Sequence, residues 1–314
     1  MKEYELRVFD NPICSSLPCI HTIKCSKAPS TAVGSGKNNL QREKSAISEA
    51  LEWDTMFDME ADFIGIYSRN NELMINPSLF GHAIDISGKG IDWVLCKNLK
   101  GKERLIHRPT RNTKNFYAYT HTSNGISVHK SLELARNSAF MEIVERSYVT
   151  LFWNGKRKAK RLLKPCYFDR YISIIESKGF LVEFFSIGDE FYHVVMSVIY
   201  NRSELMVTGF KCSPNIMQSI QGAFYEAIQV LEAFYLGGRD FLHENQKWLL
   251  SKKGHQLLRD KINTGSNKVK INPDLDQVFF RDLDLDGLFY TECFVLGLPI
   301  NYETSKKNNE FWPI

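Results

Sequence analysis

Residues 138–146 read Ser-Ala-Phe-Met-Glu-Ile-Val-Glu-Arg, and the same arrangement recurs at 45–53 (Ser-Ala-Ile-Ser-Glu-Ala-Leu-Glu-Trp) and at 222–230 (Gly-Ala-Phe-Tyr-Glu-Ala-Ile-Gln-Val). In each copy an alanine is followed three residues later by Glu, and three residues after that by Glu or Gln. Because residues i and i+3 share one face of a helix, each copy presents two oxygen-bearing side chains from one stripe. The sequence therefore predicts an internal repeat of one helix motif.

The apolar residues between the two members of each pair make this placement costly. A carboxylate beside a buried surface must be paired with an opposite charge or coordinate a cation. Mg²⁺ prefers oxygen ligands and is commonly shared with phosphate groups. The pattern favours a Mg²⁺–nucleotide site assembled from three helix faces, and the alternative is three independent stripes on the surface. The six candidate side chains are Glu49, Glu52, Glu142, Glu145, Glu226 and Gln229.

A short glycine-containing segment is a second candidate for contact with phosphates. Residues 34–37, Gly-Ser-Gly-Lys, resemble the end of a phosphate-binding loop. However, Thr31 stands where that loop needs its first glycine, and Asn38 stands where it needs Ser or Thr. We interpret the segment as a flexible loop whose Lys37 can approach phosphates.

Composition excludes several classes of protein. The chain has 314 residues, 43% apolar and 24% charged, which is a globular composition with enough material for a core. A formal net charge of +4 is too small to indicate nucleic-acid binding. No apolar run reaches the roughly 18 residues of a membrane span, and acids within residues 1–5 are atypical of a secretory signal. Seven cysteines, an odd number, favour a reducing compartment, so we expect a cytoplasmic protein.

Alternating blocks of helix and strand patterns predict an α+β fold with largely antiparallel sheets packed against helices. Helices are expected at 43–60, 131–153, 167–177 and 214–236, with more helical material at 241–261. Strands are expected at 4–8, 63–67, 72–75, 91–96, 104–107, 180–187, 191–200, 205–211 and 289–296. Loops are expected at 26–40, 108–116 and 263–273, and a solvated basic segment at 156–161. We expect one domain over 1–314, with an extension at 1–30, a core over about 30–300 and a tail at 301–314.

The three motifs resemble those of the YcaO-domain family in order and spacing, over roughly residues 30–300. In the first segment a Gly-Lys loop precedes a helix with S-x3-E-x-x-E. In the second, S-N-G leads to a long helix that ends in E-x-x-E-R. In the third, G-F-x-x-x-P leads to a helix with E-x-x-Q. The matching residues are Gly36, Lys37, Ser45, Glu49 and Glu52; Ser123, Asn124, Gly125, Glu142, Glu145 and Arg146; and Gly209, Phe210, Pro214, Glu226 and Gln229.

The resemblance implies the fold and the chemistry of that family. It implies ATP-dependent activation of a peptide backbone amide, most often cyclodehydration of Cys, Ser or Thr to an azoline in a ribosomally made peptide, with ATP and Mg²⁺ as cofactors. Catalysis of this kind is mainly positioning and charge neutralisation. The implied Mg²⁺ ligands are Glu49, Glu52, Glu142 and Glu145; the implied catalytic residues are Glu142, Glu145 and Arg146; the implied nucleotide contacts are Lys37, Ser45, Ser127, Glu226 and Gln229.

Several positions differ from the family pattern, and two or three cationic phosphate contacts are missing as a result. Lys37, Lys130 or Lys211 could replace the lost charge, though not the bidentate geometry of a guanidinium. The differences are Trp53, Gly222 and Leu231 in place of arginines, and Lys130, Leu134 and Ser138 in place of Asn, Glu, and Gln or His.

The resemblance also implies partners. Only about 40 residues precede the first motif helix, and they include no fused peptide-recognition module, so we expect a separate leader-peptide-recognition (E1-like) subunit. The expected substrate is a precursor peptide, and a flavin-dependent dehydrogenase and a second copy of the chain are further candidate partners. No nucleic-acid or membrane partner is expected. Two alternatives stay open, a degenerate subunit that acts as a non-catalytic scaffold or docking partner and a thioamide-forming enzyme.

Overall fold

A computed structural model describes residues 4–28, 30–80, 90–107, 124–201, 206–237, 247, 249–267 and 269–298. Several predicted features lie outside these residues. They are the connection at 108–116, Ser123 of the second motif, residues 241–246 and 248 of the helical segment, and the tail at 301–314.

Five α-helices are described, and their ends follow from local capping. Asn38 accepts a hydrogen bond from the backbone N–H of Gln41, so the first helix begins four residues before its predicted start at 43. Ser131 caps the second helix as predicted, and Gly155, at φ +69°, follows its end. The helices are α1 (Asn39–Asp58), α2 (Leu132–Trp153), α3 (Asp169–Ser177), α4 (Ile216–Gly237) and α5 (Lys252–Asn263).

The strands form three sheets, and every strand pair in the described part of the chain is antiparallel. The predicted α+β class is confirmed. The first sheet contains β1 (Leu6–Phe9), β2 (Ile20–Lys24) and β3 (Thr31–Val33) in that order. The second has the order β4-β5-β12-β13-β7 with β6 on β5: β4 (Phe63–Ile66), β5 (Gly90–Asn98), β6 (Glu103–His107), β7 (Ile126–His129), β12 (Val278–Asp284) and β13 (Phe289–Val295). The third has the order β11-β10-β9-β8: β8 (Lys160–Leu162), β9 (Phe180–Ser186), β10 (His193–Asn201) and β11 (Met206–Ser213).

Three local predictions were wrong. Residues 72–75 form a turn with one isolated bridge from Met74 to Leu105, rather than a strand. The expected loop at 26–40 contains β3 and the start of α1, because pairing with β2 stabilises a strand too short to be visible in the pattern. In the basic segment at 156–161, Arg157 is buried and donates hydrogen bonds to the carbonyls of Ile187 and Val269.

Helices pack on both faces of the third sheet. Buried side chains of α2 contact one face of this sheet and also β12 and β13 of the second sheet. α3 and α4 cover the opposite face of the third sheet. α1 packs against β2 and β3 and also against β7. Each motif helix therefore shares a sheet with another one: α1 and α2 both contact the second sheet, and α2 and α4 both contact the third.

Candidate functional site

All five motif carboxylates accept a hydrogen bond from a backbone N–H at the edge of a sheet. The unpaired edges of β3, β7 and β11 face the motif helices, and the residue just before β7 supplies a further donor. A sheet edge presents N–H groups that need a partner, and a carboxylate is a strong acceptor. The pairs are Val33 N to Glu49 at 3.1 Å, Val128 N to Glu52 at 2.9 Å, Gly125 N to Glu142 at 3.2 Å, Cys212 N to Glu145 at 2.8 Å and Phe210 N to Glu226 at 2.9 Å.

The strand β3 links the first and third motif helices. The N–H of Val33 binds Glu49 of α1, and its carbonyl accepts a hydrogen bond of 2.5 Å from the Gln229 amide of α4. Thus Gln229, the sixth predicted side chain, contacts the same residue as Glu49. The structure brings the acidic and amide members of the three motifs into one region, as their spacing predicted.

Two cations lie among these carboxylates. In Arg146, one guanidinium nitrogen is 3.6 Å from Glu142 and another is 3.6 Å from Glu145. Desolvation by the surrounding protein opposes protonation of Lys211, but the carboxylates of Glu145, Glu142 and Glu226 outweigh it and raise the pKa of this lysine. The Lys211 side chain nevertheless remains exposed to solvent. We call these residues the carboxylate cluster (Glu49, Glu52, Glu142, Glu145, Glu226, Arg146 and Lys211), and its Lys211 is accessible from solvent.

Burial raises the pKa of Glu49, Glu52, Glu142 and Glu226. It raises the pKa of Glu49 and of Glu142 to about 7, and it raises the pKa of Glu52 and Glu226 as well. Neighbouring carboxylates add to the effect, since Glu142 acts on both Glu49 and Glu52. A divalent cation would reverse this shift, because it favours the ionised form of each nearby carboxyl.

The donor set fits a Mg²⁺ ion that is shared with phosphates better than a metal cage made of protein alone. Among the residues that the structure describes, no three His, Cys, Asp or Glu side chains lie close enough together to hold one metal ion. Mg²⁺ usually takes one or two carboxylates and fills its remaining positions with water and substrate phosphates. The buried Nε of Arg146 has no hydrogen-bond partner in the described part of the chain, so one donor is available for an anion.

The other predicted nucleotide contacts are Ser45, Ser127 and Lys37, and they do not all lie at the cluster. Ser45 accepts a hydrogen bond from Ser35 N at 3.2 Å, which ties the start of the first motif to the glycine-containing loop. Ser127 is buried on β7, next to the N–H that binds Glu52. Lys37 lines a different cavity of about 240 Å³ with Arg170 and Tyr171, and the structure does not bring it into the cluster.

Two of the departures from the family pattern have a local explanation. Trp53, in place of an arginine, donates a side-chain hydrogen bond to Glu49 and so still supports the first carboxylate. Leu134, in place of a glutamate, is exposed near the start of α2.

Sequence reasoning named Lys211 merely as one of three possible compensating charges. It missed the backbone donors of β3 and β7, because a backbone N–H carries no residue-specific signal.

The approach of β11 to α4 depends on Gly209. A Cβ atom at this position would lie 2.3 Å from the Ala223 carbonyl oxygen and 2.4 Å from Ala227 N. Both are backbone atoms, so the strand or the helix would have to move. We expect Gly209→Ala to lower the free energy of unfolding in urea by about 3 kcal/mol. Gly90→Ala is the matched control, because its Cβ would meet just the Ile64 side chain at 3.9 Å, and equal midpoints for the two variants would contradict this prediction.

Comparison with known proteins places the chain in a family. A family model described as YcaO cyclodehydratase, ATP- and Mg²⁺-binding, matches residues 33–286. No curated protein sequence matches the chain. No described helix is both long and apolar enough to cross a membrane.

Solved structures share its fold. A heterocyclase in complex with substrate and cofactor superposes with a TM-score of 0.72 at 18% identity, over 94% of this chain and 49% of that one, so the present chain spans about half its length. YcaO from Methanopyrus kandleri bound with AMPPCP and Mg²⁺ gives 0.69 at 18% identity, over 94% and 85% of the two chains. The E. coli microcin synthetase McbBCD complex gives 0.67 at 16% identity, over 92% and 87%. The family match covers most of the sequence, and the fold and the three motif helices agree with it: the chain belongs to the YcaO family of ATP- and Mg²⁺-binding cyclodehydratases.

Proposed function

We propose that this chain uses ATP and Mg²⁺ to activate a peptide backbone amide. The proposed reaction is the cyclodehydration of Cys, Ser or Thr to an azoline in a ribosomally made peptide. The observation that carries this proposal is the carboxylate cluster. Five carboxylates from three helices each accept one backbone N–H, and three of them, Glu142, Glu145 and Glu226, interact with both Arg146 and Lys211. Such an arrangement suits a ligand that brings both a divalent cation and phosphate oxygens.

The proposed roles follow from position and charge. Glu49, Glu52, Glu142 and Glu145 would hold Mg²⁺, no more than two of them on one ion, while Glu226 and Gln229 support the nucleotide pocket together with Ser45 and Ser127. When bound, Mg²⁺–ATP would supply the phosphoryl group that accepts the amide oxygen. Arg146 would neutralise phosphate charge beside Glu142 and Glu145. The N–H bonds of the sheet edges keep the carboxylates in place, so little reorganisation is needed when the ligand binds.

The cluster also bears on the choice between an enzyme and a non-catalytic scaffold. Buried carboxylates without a ligand destabilise a fold, and a scaffold would have no reason to keep five of them. Glu145 is just 3% exposed, although it lies beside Glu142 and Arg146 on the same helix. We therefore favour the enzyme over the scaffold. A thioamide product is formed by the same activation with an external sulfide, and we propose the azoline because the family match is to cyclodehydratases.

We further propose that the chain works as one domain within a complex. The E. coli microcin synthetase McbBCD that resembles it is a complex, and one of its structures has pro-MccB17 bound. A separate leader-recognition subunit would deliver the precursor peptide here, and a flavin-dependent dehydrogenase or a second copy of the chain could join the assembly. All seven cysteines are free thiols, which suits the cytoplasm.

Binding of a non-hydrolysable nucleotide tests the proposal. We expect isothermal titration calorimetry to show one saturable site for AMPPCP in the presence of Mg²⁺, because the cluster needs a cation to bring phosphates near carboxylates. Removal of Mg²⁺ with EDTA should abolish the signal. A scaffold predicts no heat of binding under either condition, and that outcome would contradict the proposed function.

A further inference from the structure

Lys211 lies where the three motif helices come together. It is on β11 between Phe210 and Cys212, whose side chains are buried and whose N–H groups bind Glu226 and Glu145. Because side chains alternate along a strand, the Lys211 side chain points away from that buried side. Its charge acts on Glu52 of α1, on Glu142 of α2 and on Glu226 of α4.

Gly222 makes room for the stem of this lysine. A Cβ atom at 222 would lie 2.5 Å from Cγ of Lys211 and 3.0 Å from its Cβ and Cδ. Gly222 has no positive φ, so its backbone conformation does not require glycine. A glycine inside a helix is destabilising by up to about 1 kcal/mol relative to alanine. The structure thus gives this glycine a function, which is to let the Lys211 side chain lie along α4.

The charge balance of the cluster shows why a second cation matters. Three carboxylates, those of Glu142, Glu145 and Glu226, interact with both Arg146 and Lys211, and Mg²⁺–ATP itself carries net negative charge. An anionic ligand that enters such a site needs fixed positive charge close to its phosphates. Arg146 is held by Glu142 and Glu145, whereas the Lys211 side chain is exposed on the accessible side.

We propose that Lys211, placed by Gly222, is the second phosphate-binding cation of this site. The proposal rests on the proposed function and adds to it a specific residue and the glycine that positions it. The competing reading is that Lys211 only offsets the charge of the carboxylates in the protein without ligand. The two readings differ in what they predict for the nucleotide affinity of Gly222→Ala, in which the lysine keeps its charge but its stem must move.

Four variants test the proposal by calorimetry with Mg²⁺–AMPPCP. Lys211→Met should weaken the affinity by roughly 10- to 100-fold, the value of one charge-assisted hydrogen bond. Gly222→Ala should also weaken it, although Gly222 has no side chain, because the lysine stem must move. The double variant Lys211→Ala/Gly222→Arg presents a guanidinium from α4 into the vacated space and should recover most of the loss. Lys97→Met is the matched control, an exposed strand lysine that faces Glu103 and should bind like wild type.

The outcomes separate this proposal from the proposed function. If wild type binds and Lys211→Met binds equally well, the role of Lys211 is wrong while the nucleotide site stands. If Lys211→Met weakens binding but Gly222→Ala, which keeps the charge of Lys211 and only moves its stem, binds like wild type, a role limited to offsetting carboxylate charge is favoured and the proposal is overturned. The absence of any recovery in the arginine variant would overturn it as well. If wild type itself does not bind, the proposed function fails first. Thermal unfolding without nucleotide checks that each variant is folded.

Discussion

Glu142→Gln is expected to weaken binding of Mg²⁺–AMPPCP by about 100-fold or more, since even the outer-shell partners of metal ligands are worth 10- to 100-fold. Glu142 has the most central position in the cluster. It accepts the Gly125 N–H, lies 3.6 Å from Arg146, and influences the pKa of both Glu49 and Glu52. Glutamine keeps the shape and the acceptor oxygen but removes the charge that a divalent cation requires.

Glu133→Gln on the same helix is the matched control for this variant. Glu133 lies in the first turn of α2 and is exposed, so its replacement should leave the affinity within about twofold of wild type. Titration calorimetry gives both affinities under the same conditions. Equal affinities for Glu142→Gln and wild type would remove Glu142 from the metal site, and the case for the whole cluster would weaken with it.

Arg146→Met is expected to lower the free energy of unfolding by about 3–5 kcal/mol, the usual effect of removing one partner from a buried ion pair. The side chain of Arg146 is 18% exposed, and Glu142, Glu145 and Glu226 all interact with its charge. Without the guanidinium, Lys211 alone would offset these carboxylates in the protein without ligand. Urea denaturation in the presence of EDTA measures the effect, because added Mg²⁺ could mask it.

Arg136→Met provides the comparison on the same helix. Arg136 pairs with Asp282 at 2.6 Å, but their side chains are 29% and 22% exposed, so we expect a loss of about 1 kcal/mol. The double variant Glu142→Gln/Arg146→Met should be more stable than Arg146→Met, because it removes one of the uncompensated charges. Similar stabilities for the two single arginine variants would argue that Arg146 is not the counter-charge of the cluster.

The helices of the site were predictable because their signals are local. The spacing of Ala139, Glu142 and Glu145 and the cap at Ser131 predicted a helix over 131–153, and the structure has Leu132–Trp153. The strand β3 was not predictable in this way. It has three residues, no alternation long enough to detect, and its stability comes from pairing with β2. The residue that it contributes, Val33, nevertheless binds both Glu49 and Gln229.

Gly222 is another position whose role the sequence pattern could not reveal. The resemblance marked Gly222 as a departure from the family pattern, which suggested a lost cationic contact. The structure shows that the space beside Gly222 contains the side chain of Lys211 from another element. A sequence pattern compares each position with its neighbours along the chain, so it could not show that the side chain of Lys211 occupies the space beside Gly222.

The sequence by itself determined which residues carry oxygen ligands and which helix faces present them, because helical periodicity is a local property and burial beside apolar residues follows from it. The tertiary structure alone decided what fixes those ligands. Val33 and Gln229 are 196 positions apart, and Val128 and Glu52 are 76 apart, yet each pair shares a hydrogen bond. Backbone donors at sheet edges are identical in every residue but proline, so their partners are chosen by how the sheets and helices pack.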